Sequence, residues 1–204
     1  MSLKNHILHT GVLDDNKLWQ DLKAGDEKAF STLFKRYYGN LIQYGNSFSP
    51  HADKIQDCVQ DVFTDIWIYR NSLSDTVVVK AYLLSCVRKR IMRLQQRDKV
   101  FNKATSMDAV TFLLDFSIEQ QLISDELTVA KVEHLNKLLN VLPSRQKEAL
   151  FLKYHHGLNI DEIAAILNVN YQSASNLLHR ALVNIRKEWN INVTLLMVLM
   201  MNWV

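Results

Sequence analysis

The sequence predicts an all-α protein with two small helical domains joined by a flexible linker, the second domain containing a helix-turn-helix. The 204 residues include only five Gly and two Pro, so few residues break helices. Between these breakers, apolar side chains recur at helical spacing rather than alternating as in a strand. Hydrophobic residues make up 48% of the chain and charged residues 22%, which is enough apolar material for one large or two small cores.

The chain is expected to divide into five segments. An N-terminal extension (1–13) precedes the first domain (14–100), and the second domain (126–190) precedes an apolar tail (191–204). Residues 101–125 are interpreted as the linker, because helical periodicity weakens there and acidic residues collect. The tail has 14 residues, fewer than the roughly 20 that cross a bilayer, so no transmembrane segment is expected. It is either a helix packed on the second domain or a segment that binds a partner or a membrane surface.

The first domain is predicted to hold four helices, over residues 14–24, 27–44, 53–70 and 80–99. Gly25 ends the first helix, and Asp26 can cap the second because its side-chain oxygen accepts backbone N–H groups of the first turn. Helical spacing predicts a buried stripe on the second helix, made of Phe30, Leu33, Phe34, Tyr37, Leu41 and Tyr44.

The third helix has an acidic face opposite its apolar one. Asp57, Asp61 and Asp65, here called the acidic row, recur every four residues, so their carboxylates repel each other unless a basic partner lies there. The row is either a solvated face or a docking surface for a protein partner. The apolar positions predicted to be buried are Ile55, Val59, Val62, Phe63 and Ile66.

The fourth helix carries a basic row, Lys89, Arg93 and Arg97, flanked by Arg88 and Arg90. Residues 70–103 contain nine Lys and Arg against two Asp and Glu, whereas the net charge of the whole chain is only +3. Such a concentrated cationic block indicates a polyanionic partner, either nucleic acid or acidic lipid.

Aromatic side chains lie close to this block in the sequence, at Trp67, Tyr69 and Tyr82. A basic groove beside aromatic rings suits unpaired bases, whose faces stack on the rings for about 1–3 kcal/mol each. The alternative is that Trp67 belongs to the core and only Tyr82 is exposed.

Residues 159–187 form a predicted helix-turn-helix. Asn159 and Glu162 have the spacing of a capping box at the start of the first helix. Asn168 tolerates the left-handed backbone that ends this helix, and Asn170 can cap the second helix after a three-residue turn. Both helix boundaries therefore have a local cause.

The second of these helices has an apolar stripe that faces the protein and a polar face that suits base edges and phosphates. The candidate DNA contacts are Gln172, Ser173, Ser175, Asn176, His179 and Arg180. The alternative is the ordinary solvated face of an amphipathic helix, since helix-turn-helix geometry also occurs in bundles that bind no DNA.

No metal, cofactor or enzyme activity is expected. Cys58 and Cys86 lie in apolar helical runs without CxxC spacing, which predicts buried free thiols in a reducing cytosol. The histidine pairs at 6 and 9 and at 155 and 156 have no convergent cysteine or carboxylate set. The N-terminus has no secretion pattern, so the chain is expected to be cytoplasmic.

Two separated motifs resemble one family. The segment DCVQDVFTDIW, residues 57–67, is similar to the core-polymerase-binding helix of bacterial RNA polymerase sigma factors of the extracytoplasmic-function group. Residues 142–182 closely resemble the domain of the same family that binds the minus-thirty-five promoter element. The resemblance covers about 14–97 and 135–187, with the two motifs in the family's order.

The resemblance implies a promoter-specificity subunit that binds core RNA polymerase and promoter DNA and has no activity alone. It implies core-polymerase contacts at Asp57, Gln60, Asp61 and Phe63. It implies that the loop 73–79 and the fourth helix hold the minus-ten element as a single strand, with contacts at Tyr82, Arg88, Lys89, Arg93 and Arg97. The second helix of the helix-turn-helix would be the recognition helix, and its six candidate residues named above would contact the minus-thirty-five element. An anti-sigma factor that clamps both domains is also implied.

This chain departs from the family pattern at four positions. Lys89 stands where the family usually has Asn, and Arg93 where Asp is frequent, so strand contacts there are expected to be more electrostatic. Ser175 and Asn176 stand where Lys or Arg is frequent, so a modest affinity for the minus-thirty-five element is expected. The main alternative is a stand-alone helix-turn-helix regulator, which explains the second domain but leaves the acidic and basic rows without a role.

Overall fold

The computed structural model describes residues 15–49, 51–101, 111–114 and 126–188. All regular secondary structure within these ranges is helical, which confirms the predicted all-α class. No helix in the described part of the chain is both long enough and apolar enough to cross a membrane.

Contacts divide the chain into two compact units, Met1–Thr105 and Ser106–Val204. The predicted N-terminal extension, the apolar tail and most of the predicted linker lie outside the described residues. The predicted segment boundaries therefore stay predictions, and each unit is considered by itself.

The described part of the first unit contains four helices and a short 3-10 turn. Helix α1 covers the described residues 15–23, α2 spans Glu27–Asn46, α3 spans Ala52–Ile68 and α4 spans Val79–Phe101, with the 3-10 turn at Arg70–Ser72. Helices α2, α3 and α4 pack against one another in all three pairings. The acidic row therefore lies on one member of a three-helix bundle and the basic row on another.

Two predicted helix boundaries in this unit are confirmed. Gly25 ends the first helix with a positive φ of 93°, a conformation that glycine adopts without a steric penalty. Asp26 then accepts hydrogen bonds from the backbone N–H groups of Lys28 and Ala29 at the start of α2. The turn between the two helices is thus fixed by its own sequence.

The core of the first unit follows the predicted apolar stripes. All five apolar positions predicted on α3 are buried, and on α2 four of the six are buried while Phe30 and Phe34 are partly exposed. Gly45 is also buried, and a Cβ atom there would lie 2.4 Å from Cγ2 of Ile55. The close approach of α2 to α3 at this point therefore requires glycine.

The second unit contains α5 (Glu126–Val141), α6 (Ser144–Leu150), α7 (Ile160–Leu167) and α8 (Tyr171–Glu188). A π-helical turn, Phe151–His155, continues α6. Helices α6 and α7 make the main packing contacts with α8, so α8 is supported along its apolar side.

A short piece of the predicted linker contributes to the core of the second unit. Phe112 and Leu114 are 0% and 2% exposed, and the Phe112 ring lies 5.7 Å from the Phe151 ring in an edge-to-face arrangement. The weak periodicity of this stretch did not predict such packing.

Candidate nucleic-acid interface

The acidic row lies on the exposed side of α3. Asp57, Asp61, Asp65 and Gln60 are all exposed, because the buried side of the helix is occupied by its apolar residues. Phe63 belongs to that buried side, where it is 2% exposed and packs at 4.9 Å from the ring of Phe34. Phe63 therefore supports the helix from inside, while the polar side chains face outward.

The basic partner that the acidic row requires is Arg90 on α4. Its guanidinium donates hydrogen bonds to Oδ2 of Asp61 at 2.5 Å and to Oδ2 of Asp65 at 2.7 Å. These bonds offset the repulsion between two carboxylates one helical turn apart. The sequence predicts Arg90 as one of the cations of α4, but the local sequence does not show that its side chain contacts α3.

The basic row is exposed along α4. Lys89, Arg93 and Arg97 are open to solvent, whereas Arg88 is half-buried. A groove of about 390 Å³ runs between α3 and α4, with carboxylates from α3 on one side and Arg90, Arg93 and Arg97 on the other. Carboxylates of α3 and guanidinium groups of α4 thus face each other across this groove.

Tyr69 is the most exposed of the three aromatic residues near the basic row. It is 61% exposed, whereas Trp67 is half-buried against Phe30 at 5.1 Å, with the Arg70 guanidinium 4.6 Å from the center of its ring. The alternative in which only Tyr82 is exposed is therefore wrong. Tyr69 and Tyr82 line a second groove of about 200 Å³ that also contains Lys89.

Tyr82 is held as a neutral phenol at the edge of this groove. Its ring is half-buried and meets the Trp19 ring edge-to-face at 5.3 Å. Burial, and after it the neighbouring Cys86, raises the pKa of Tyr82 to about 12. A neutral ring beside cations suits contact with a nucleic acid, because a phenolate would repel phosphates.

Three side chains of α1 hold the loop before α4. The indole Nε1 of Trp19 donates to the carbonyl oxygen of Ser74 at 3.0 Å, and Nε2 of Gln20 donates to the carbonyl oxygen of Asp75 at 2.7 Å. Lys23 forms an ion pair with the Asp75 side chain. This anchor could not be predicted from local sequence, since more than 50 residues separate its two sides.

The local signals of the helix-turn-helix are confirmed. The backbone N–H of Asn159 donates to Glu162 at 2.8 Å and the N–H of Glu162 donates to Asn159 at 2.9 Å, which completes the capping box. Asn168 has the left-handed backbone, with φ of 53°. Asn170 accepts the N–H of Ser173 at 2.7 Å and caps α8. These local features thus fix where α7 begins and ends and where α8 begins.

The polar face of α8 is open to solvent. Gln172, Asn176, His179 and Arg180 are exposed, while Ser173 and Ser175 are partly buried. Nε2 of Gln172 donates to Oδ1 of Asn176 at 3.2 Å, so the two amides are aligned one turn apart. Tyr171, which the sequence analysis did not include, is 52% exposed at the first position of the helix.

The two cysteines and His155 pack against other side chains of their units. Cys58 is buried and Cys86 half-buried, both are free thiols, and burial raises the pKa of each. His155 stacks on Phe151 at 4.5 Å. Within the described ranges, no three His, Cys, Asp or Glu side chains are grouped as a metal site requires. The predicted pair at positions 6 and 9 lies outside those ranges.

A family model matches part of the second unit, and curated relatives are similar to the chain across both units. The family described as sigma-70, region 4 matches residues 133–185. The ECF RNA polymerase sigma-E factor of Escherichia coli is 25% identical over 83% of this chain and 91% of its own length. The RNA polymerase sigma factor YlaC of Bacillus subtilis is 23% identical over 76% of this chain and 88% of its own length.

Solved structures share the fold. The sigma factor RpoE of Bartonella quintana, in complex with the anti-sigma factor NepR, is 21% identical over 81% of this chain and 99% of its own, with a TM-score of 0.60. CnrH, in complex with the cytosolic domain of CnrY, is 19% identical over 85% of this chain and 96% of its own, with a TM-score of 0.58. The motifs on α3 and α8 and the helical units that carry them are thus similar to those of the extracytoplasmic-function group of RNA polymerase sigma factors.

Proposed function

We propose that the chain directs transcription initiation through three surfaces: Asp57, Gln60 and Asp61 of α3 for core polymerase, the basic row for the minus-ten element and α8 for the minus-thirty-five element. The protein is a specificity subunit and not an enzyme. The observation that carries this proposal is the meeting of acidic and basic rows on α3 and α4 of one small unit. A stand-alone regulator has no use for that pair of surfaces. The chain is proposed to act in the cytoplasm.

Docking on polymerase is assigned to the exposed polar residues of α3. Asp57, Gln60 and Asp61 face outward on one side of the helix, where they can receive hydrogen bonds from cationic side chains. Phe63 contributes from within the core by holding this face in place. Charge complementarity of this kind mainly sets partner choice and the association rate.

The minus-ten strand is assigned to α4 and to the groove beside it. Lys89, Arg93 and Arg97 supply positive charge along one exposed line, and Arg88 extends it. Tyr69 and Tyr82 offer ring surfaces in the adjoining groove. Because positions 89 and 93 carry cations, the strand contacts there are expected to be more electrostatic and less base-specific.

Replacing both Arg88 and Lys89 with Ala is expected to impair promoter opening more than closed-complex formation, because two cationic contacts to the unpaired strand are lost. Affinity for the opened strand should also depend less on salt: the plot of log affinity against log salt concentration should become less steep by about 1.4, or about 0.7 for each lost cation. Permanganate footprinting and gel shifts at several salt concentrations measure the two steps separately. Removing the exposed Lys28 and Lys35 of α2 instead is the matched control and should change neither. An equal loss in both steps would contradict the assignment.

Changing Gln172 or Asn176 to Ala is expected to relax base preference at one or two minus-thirty-five positions, by about 1–3 kcal/mol for each well-formed amide contact. The two amides are already aligned by their mutual hydrogen bond, so little ordering is needed when they meet the major groove. Sequencing of transcripts from a systematic promoter library measures the preference. Lys187→Ala, at the end of α8, should weaken binding evenly across sequences. An unchanged preference in both amide variants would argue against these contacts.

A binding assay separates the proposed function from a stand-alone regulator. A sigma factor binds core polymerase without DNA and requires polymerase for promoter binding, whereas a regulator binds its operator unaided. Fluorescence anisotropy of the labelled full chain, titrated first with core polymerase and then with promoter duplex, is expected to show polymerase binding first. Tight, sequence-specific binding to duplex DNA without polymerase, together with no binding to polymerase, would favour the regulator.

An inhibitory protein partner is also proposed. The RpoE of Bartonella quintana was solved with an anti-sigma factor, and the fold of this chain is similar. A partner that covers the acidic row and the polar face of α8 would block both polymerase and promoter. Co-purification of the full chain from its own cells, followed by release of transcription activity when the partner is removed, tests this.

A further inference from the structure

Arg90 lies between the acidic row of α3, proposed to face polymerase, and the basic row of α4, proposed to face DNA. It belongs to the basic helix α4, yet its guanidinium is bonded to Asp61 and Asp65 of α3 at 2.5 and 2.7 Å. It also lines both grooves between these helices. The carboxylate of Asp61, assigned to polymerase, is therefore already engaged by a cation of the DNA-binding helix.

The side chains of Arg90, Asp61 and Asp65 stay accessible to solvent although they are bonded to each other. The Arg90 side chain is 34% exposed and each Asp side chain is 53% exposed, so a cationic group can approach Asp61 without unfolding the helix pair. Exposed ion pairs exchange partners readily because each contributes little to stability. Asp65, which is not among the assigned polymerase contacts, can keep Arg90 at the junction when Asp61 changes partner.

We propose that Arg90 is a positioning residue that competes with polymerase for Asp61, and that the loss of its bond to Asp61 makes the surroundings of the basic row less negative; this rests on the proposed function. In the free chain, two carboxylates offset the charge of Arg90, so α4 is less attractive to DNA. When a cationic side chain of polymerase neutralises Asp61, Arg90 keeps Asp65 as its partner, and the negative charge beside the basic row is lost, so α4 repels the strand less. Docking and strand binding are coupled in this way, and linkage makes the coupling reciprocal.

The competition predicts opposite effects of one substitution in two assays. Arg90→Gln in the full chain should raise the affinity for core polymerase by about two- to fivefold, the range expected for one exposed ion pair. At saturating polymerase the same variant should form less open complex. A merely structural role would lower both, and a direct polymerase contact would lower the affinity. Anisotropy titration and permanganate footprinting supply the two readouts.

The matched control is Arg93→Gln, which removes the same charge from the same helix. Arg93 is exposed and makes no ion pair with a described residue, so its loss should lower opening without raising polymerase affinity. Equal rises in both variants would show that only long-range charge is involved and would overturn the proposal. If Arg90→Gln does not fold, Arg90→Met retains the aliphatic stem and gives the same test.

Failure of this inference is distinguishable from failure of the proposed function. If the wild-type chain does not bind core polymerase, the proposed function is wrong. If the wild-type chain binds polymerase and transcribes, but Arg90→Gln leaves the affinity unchanged or lowers it, the role of Arg90 alone is wrong.

Discussion

Reversing the charge of Asp61 is expected to abolish useful binding to core polymerase. Asp61→Arg places a cation where the partner is expected to present one, and like charges held against each other cost several kcal/mol. It also converts the bond with Arg90 into a repulsion. The dissociation constant should rise at least about 30-fold, equivalent to about 2 kcal/mol. Anisotropy titration of labelled variant with core polymerase measures it.

The control for this variant is Asp75→Arg, which makes the same change of charge in the same unit. Asp75 lies in the loop before α4, not on α3, and its side chain pairs with Lys23. It should bind polymerase with nearly wild-type affinity. Equal weakening by both variants would mean that overall charge, rather than the acidic row, determines binding, and wild-type affinity of Asp61→Arg would remove α3 from the interface.

Replacing Trp19 with Ala is expected to destabilise the first unit by about 3–5 kcal/mol, the range for a large buried aromatic side chain. Trp19 is 1% exposed, packs on the Tyr82 ring and donates a hydrogen bond to the backbone of Ser74. Its loss removes core contacts and also frees the loop that precedes α4. Denaturant unfolding followed by circular dichroism measures the change, and a loss below about 0.5 kcal/mol would contradict the role.

Trp19→Phe separates the two contributions of this residue. Phenylalanine retains a buried ring but cannot donate to Ser74, so most of the stability should remain, with a loss of about 0.5–1.5 kcal/mol for the missing hydrogen bond plus a smaller packing term. If promoter opening falls in Trp19→Phe as much as in Trp19→Ala, the hydrogen bond to the loop is what positions it. Preserved opening would assign the effect to packing.

Local structure was predictable where its cause lies within a few residues. The capping box of Asn159 and Glu162, the left-handed Asn168 and the cap at Asp26 all depend on side chains that bond their own turn. The buried stripes were equally predictable, because helical period alone decides which side of α3 is apolar.

Contacts between distant parts of the chain were not predictable in the same way. The bonds from Arg90 to the acidic row depend on how α4 is rotated against α3, which no single helix encodes. The hydrogen bond from Trp19 to Ser74 joins residues 55 positions apart. Phe112 packs on Phe151 from a stretch without periodicity. The candidate surfaces could therefore be predicted, but not the side chains that couple and anchor them.

These couplings change how the first unit is understood. The acidic and basic rows are not independent patches on one domain, because Arg90 bonds to one while belonging to the helix of the other.

The recognition helix α8 carries a single cation among its six candidate contacts, at Arg180, so its own affinity for DNA is expected to be modest. Under the proposed function, polymerase would hold α8 at high effective concentration near the promoter, and a tethered contact of this kind tolerates weak affinity.

The most direct test of the central claim is in vitro transcription by core polymerase, with and without the full chain, from a pool of random promoter sequences. If the proposed function is right, we expect transcripts that require the chain and that start at a fixed distance from two shared sequence elements. Loss of these transcripts with Asp61→Arg, and relaxed upstream preference with Asn176→Ala, should follow. Transcription that does not depend on the chain, or transcripts without shared upstream elements, would contradict it.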